Sequence, residues 1–187
     1  MKPKFFKTPV EFRTWLSKNH DKETEIWVGF WKKASGKVGM DYGQALDEAL
    51  CFGWIDGLVN KYDEESYAQR FSPRRAKSNW SKVNVGHVER LIKEGKMTEA
   101  GLKVIEEAKK DGRWERAYAS PANTVIPEDF LKELSKNKKA EEFFEGLNKT
   151  NRFYIAYQLQ DAKKEETRVR RMKKILEMLE RGERFYL

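Results

Sequence analysis

A chain of 187 residues is long enough for one domain or two small ones with a sizeable buried core. Its 39% hydrophobic and 13% aromatic content excludes a disordered chain, and its formal charge of +8 favours anionic partners. One cysteine excludes an internal disulfide, two histidines leave no zinc-type ligand cluster, and no run of about 18 apolar residues exists for a spanning helix, so neither metal nor cofactor nor transmembrane segment is expected.

Thr8, Pro9 and Glu11 form a capping pattern that predicts a helix of about three turns through Phe12, Trp15 and Leu16. EIWVGFWKK at 25–33 reads as a strand apolar on both faces, followed by a glycine-containing loop. Asp41 and Gln44 repeat the capping pattern before the small-residue stripe Ala45, Leu46, Ala49 and Leu50, and this second helix is expected to end near Gly53. WIDGLVNKYD and SYAQRF read as two strands joined by an acidic turn around Asp63, Glu64 and Glu65.

Ser78 is the predicted N-cap of a helix that carries Trp80, His87, Val88 and Leu91 and stops at Gly95, with a further helix over 99–110. ASPANTVIP at 119–127 breaks the pattern with two prolines and reads as a linker between a domain over 1–118 and a helical domain over 128–187. Four short helices are expected there, on stripes around Phe130, Leu131 and Leu134; Ala140, Phe143, Phe144 and Leu147; Phe153, Ala156, Tyr157 and Gln160; and Val169, Met172, Leu176 and Leu179. The fold class is therefore α+β, a small antiparallel sheet with packed helices, followed by a helical C-terminal domain.

Among residues that carry chemistry, Cys51 with His87 as its base is one candidate pair, against which stands the ordinary reading of a buried free cysteine. Asp56 shares a strand face with Trp54, and a carboxylate among apolar residues needs a partner, for which Arg70 is the nearest candidate. Such a pair either fixes strand register or contacts a ligand.

RFSPRRAKSNWSK at 70–82 holds five basic residues and no acidic one. Pro73 keeps Ser72 extended and releases Arg74 and Arg75 into a loop, where serine hydroxyls and a helix start at Ser78 would add anion donors. Its alternative is a solvated basic loop, with Trp80 as a core anchor. AKKEETRVRRMKK near the end permits i,i+4 pairs such as Glu166 to Arg170 on an exposed helix face.

ALCFGWIDG at 49–57, RFSPRRAKSNWS at 70–81, GKMTEAG at 95–101 and AKKEETRVRR at 162–171 together resemble the YdeI/OmpD-associated, or bacteriocin-protection, proteins over nearly the whole chain. The first half is similar in outline to YdhG-like α+β domains. The resemblance implies a bacterial protein linked to protection against bacteriocins or cationic antimicrobial peptides, with a porin association and no settled biochemical activity. It directs attention to Trp54, Asp56, Arg70, Ser72, Arg74, Arg75, Ser78 and Trp80 as the ligand-binding set. The expected protein is cytoplasmic, because MKPKFFKTPVEF has no apolar run suited to a signal segment. It is expected to be a binding or stress-protection protein with an anion-binding basic site for an anionic small molecule, with a nucleic-acid or protein interaction module, or an enzyme using Asp56, as the alternatives.

Overall fold

A computed structural model describes residues 2–186. The chain divides into two compact units, one ending at Ala117 and the other beginning at Tyr118. Together they form the expected α+β architecture.

The first unit runs β1 (Lys4–Phe5), α1 (Pro9–Asn19), β2 (Ile26–Trp31), α2 (Tyr42–Cys51), β3 (Trp54–Lys61), β4 (Ser66–Pro73), α3 (Lys82–Lys93) and α4 (Glu99–Lys110). The sheet order is β1-β2-β4-β3. It is mixed rather than purely antiparallel, because β1 joins β2 in parallel. No turn signal marks this two-residue strand. It is held instead by the Phe5 ring, which lies over Gly29 where a Cβ would approach Phe5 Cζ to 2.5 Å, and which stacks on Trp31 at 4.4 Å.

The local helix signals act as the residue types require. Thr8 accepts from the Glu11 N–H, although Glu11 reaches the Lys7 amide instead of closing the reciprocal bond at Thr8. Asp41 and Gln44 form a complete capping box. Ile26, Val28 and Phe30 of β2 bury one sheet face with Phe71, Trp54 and the helices, while Phe5 and Trp31 cover part of the other. This explains a strand that reads as apolar throughout.

The second unit contains α5 (Glu128–Leu134), α6 (Lys138–Glu145), α7 (Lys149–Gln160) and α8 (Glu165–Glu180). The stretch before α5 holds a short 3-10 turn at Pro121–Asn123, and Ile126 packs against the core of Phe130, Leu134, Phe144, Ile155, Ile175 and Leu179. Two expected stripes are rotated. On α7 the buried residues are Asn151, Ile155, Ala156 and Leu159, while Phe153 and Tyr157 meet Tyr118 at 5.9 and 5.1 Å. On α8 Ile175 and Leu179 are buried and Val169 is exposed.

The expected Glu166 to Arg170 pair does not form. Among the described residues the i,i+4 ion pair of α8 is Lys173 with Glu177 at 4.0 Å, while Arg168 reaches Asp129 and Arg171 reaches Asp161. No helix is long and apolar enough to cross a membrane among the described residues.

Candidate functional site

The basic stretch begins where β4 ends. Trp54 and Pro73 are partners across the hairpin, and the next amide, Arg74 N–H, donates to the Gly53 carbonyl at 3.0 Å. Arg74 then turns inward. Its guanidinium lies 3.8 Å from the centroid of the Trp80 ring and donates to the Asn79 carbonyl at 2.6 Å. Trp80 in turn meets Trp114 edge to face at 4.9 Å.

Arg113 closes the arrangement from the far side, binding the Asp111 carboxylate through Nε at 2.7 Å and donating to the Ser78 carbonyl at 3.0 Å. Arg74, Arg113 and Trp80 are all buried. A planar guanidinium can be buried on an indole face because it is weakly hydrated and its in-plane donors stay available. The loop is therefore built around an Arg–Trp–Trp column.

Two expectations about this region are corrected. Ser78 is not the helix N-cap. Its amide closes a turn onto the Arg75 carbonyl at 2.9 Å, Trp80 is carried into the core, and only then does Ser81 cap α3 by accepting from the Asn84 amide at 3.1 Å. Asp56 and Arg70 do not pair either. Asp56 stands opposite Phe71 in the ladder, so it shares the helix-facing side with Phe71, and Arg70, one residue away, points to the other side.

Asp56 accepts instead from the Tyr42 hydroxyl at 2.9 Å. Burial first, and then the Asp56 charge, push the Tyr42 hydroxyl well above its ordinary value, which keeps it the donor. Arg70 lies across Gly57, where a Cβ would sit 3.3 Å from its Nε, and reaches Glu25 at 3.5 Å. Ser72 is half-buried on the Arg70 face, opposite Ile55.

Trp54 is buried in the core, with its indole N–H donating to the His20 carbonyl at 3.2 Å. The eight residues singled out in sequence thus separate. Trp54, Arg74 and Trp80 are buried, Asp56 and Arg70 stand on opposite sheet faces, and Arg75 is exposed, as are Lys77 and Lys82.

Cys51 and His87 do not form a nucleophile and base. Burial is the main influence on the Cys51 thiol and raises its pKa, which disfavours thiolate, while His87 Nδ1 lies 2.8 Å from Asp47, itself held by Arg90 at 2.6 Å. What Cys51 does supply is a carbonyl. Thr98 donates to it twice, through its amide at 3.1 Å and its hydroxyl at 2.7 Å.

Gly101 packs against the same carbonyl so closely that a Cβ there would overlap it. The stretches 49–57, 70–81 and 95–101 therefore meet at one junction, through Gly53 on one side and Cys51 on the other. Sequence reasoning missed Arg113 and Trp114, which complete the loop from about forty residues away, and Glu25 and Tyr42, the actual partners of Arg70 and Asp56. The one local signal was an arginine and a tryptophan directly after the turn at Gly112.

Two family models match separate stretches of the chain. Residues 4–104 match the family model described as a domain of unknown function (DUF8412). Residues 123–182 match the one described as Bacteriocin-protection, YdeI or OmpD-Associated. The YdhG-like outline expected for the N-terminal part finds no support in these matches. No curated protein and no solved structure matches the chain.

Proposed function

Because the chain belongs to the DUF8412 family and carries a YdeI/OmpD-associated, bacteriocin-protection segment at 123–182, we propose that it is a stress-protection binding protein whose loop after β4 captures an anionic partner. The observation that carries this reading is the division of labour between adjacent arginines. Arg74 is buried on Trp80 and fixes the loop, whereas Arg75 and Lys77 are exposed and make no ion pair among the described residues. Cations held on an ordered loop lose less freedom on binding than cations on a mobile one. The partner is a phosphate- or carboxylate-bearing molecule.

The test is a thermal-shift panel of phosphates, polycarboxylates and a short single-stranded oligonucleotide at low salt, run on the wild type and on Arg75→Ala/Lys77→Ala. A ligand that raises the melting temperature of the wild type should raise that of the double variant much less. An equal response of the two proteins, or no response across the panel, overturns the proposal. If the oligonucleotide is the responder, engagement of Arg75, Lys77 and Lys82 with three phosphates predicts a slope of about −2 in log affinity against log salt.

A further inference from the structure

The second unit contains a cavity of about 430 Å³ between α7, α8 and the turn that follows α8. Its walls combine two chemistries. Ile175, Met178 and Phe185 supply an apolar surface, and Arg170, Arg171 and Lys174 supply cations. The volume lies in the range of small-molecule sites.

The cations are not equivalent. Arg171 is tied down by the Gln158 carbonyl at 2.6 Å and by Asp161 at 3.5 Å. Arg170 and Lys174 are exposed at the rim, four residues apart on one helix face, and make no ion pair among the described residues. Two like charges at this spacing repel each other and are relieved by an anion placed between them.

The apolar wall is also fixed in place. Asn151, fully buried on α7, donates through its side-chain amide to the Tyr186 carbonyl at 3.1 Å and accepts from the Tyr186 amide at 3.0 Å. Tyr186 further packs its ring on Tyr154 at 4.3 Å. This grip on Tyr186 positions its neighbour Phe185 at the cavity. A long basic side chain on an apolar patch is ordinary; two cations without an ion pair at the rim of a concave apolar wall are not.

We propose that this cavity binds a single-chain anionic amphiphile, with the tail against Ile175, Met178 and Phe185 and the headgroup at Arg170 and Lys174. The positive rim favours a carboxylate or phosphate headgroup and disfavours a cationic peptide. This assignment is independent of the loop in the first unit, since it uses none of its residues.

Isothermal titration of the full chain below the micellar concentration tests it, with laurate, dodecyl phosphate, dodecanol and acetate as probes. Laurate or dodecyl phosphate should bind at least about tenfold more tightly than dodecanol or acetate, because neither half alone satisfies both walls. The stronger of the two identifies the headgroup. Arg170→Gln/Lys174→Gln, both exposed positions, should erase that preference while melting like the wild type, and Met178→Asp should weaken the anionic probes through the tail. Binding of dodecanol equal to that of both anions, an unchanged preference in the Gln variant, or no binding of either anion overturns the proposal.

Discussion

Arg74 and Arg75 are adjacent, chemically identical, and opposite in what they do for the protein. Arg74→Ala removes a buried guanidinium from the Trp80 face together with its hydrogen bond to the Asn79 carbonyl, so it should cost about 2–4 kcal/mol of stability. Arg75→Ala removes an exposed side chain and should stay within about 0.5 kcal/mol. Urea unfolding followed by tryptophan fluorescence measures both, and an equal loss would show that the loop is not organised around Arg74. The sequence made Trp80 readable as a core anchor because an indole is costly to expose. It could not distinguish the two arginines, since what separates them is an indole six residues on and a second one at Trp114. Asp56 was misassigned for a related reason: the strand period placed it on a face correctly, but its partner Tyr42 comes from the start of α2, outside the hairpin.

Contacts between elements depend on a few close approaches. The α2–α4 junction has no room for a side chain at Gly101, so Gly101→Ala should push α4 away from the Cys51 carbonyl and cost about 3 kcal/mol. A lower thermal midpoint with both Thr98 bonds weakened is the expected result, checked by hydrogen exchange at the Thr98 amide. The β3–β4 hairpin should carry a pH dependence. Asp63 accepts from the Ser66 hydroxyl at 2.7 Å and from the Glu65 and Ser66 amides at 2.9 and 2.7 Å, and the Ser66 hydroxyl is the main cause that lowers its carboxyl below the ordinary 3.8. A carboxyl whose folded value is depressed adds stability that is present above 3.8 and lost as the pH falls through the folded value. Asp63→Asn should therefore be less stable than the wild type at pH 7, with the gap closing below about pH 4, in melts recorded from pH 2 to 7. Helix caps were legible because Asp41 and Thr8 act within three residues. Ser78 and Ser81 were not separable by such local rules, since both precede the same apolar stripe and only the burial of Trp80 decides between them.

At the scale of the whole chain, the α+β class was visible in the change from strand-like to helical periodicity beyond the prolines of 119–127. Mixed strand direction was not visible, because β1 rests on a ring packed over Gly29 and on no pattern of its own. The two cores share no residue. All six tryptophans precede Tyr118, so indole fluorescence reports the first unit while helical circular dichroism reports both. Phe130→Ala, which empties the centre of the second core, should cost about 3–5 kcal/mol there and move the dichroism transition while leaving the fluorescence midpoint in place. A matching shift of the two signals would show that the cores melt together.

The carbonyl at Cys51 has a practical consequence. Since Thr98 binds the backbone of residue 51 and not its sulfur, Cys51→Ala keeps both hydrogen bonds and removes the chain's one thiol. The resulting cysteine-free protein is a background in which single reporter thiols can be installed, one at exposed Val10 and one at exposed Val125, so that a pair of spectroscopic labels reads the distance between the two units in solution.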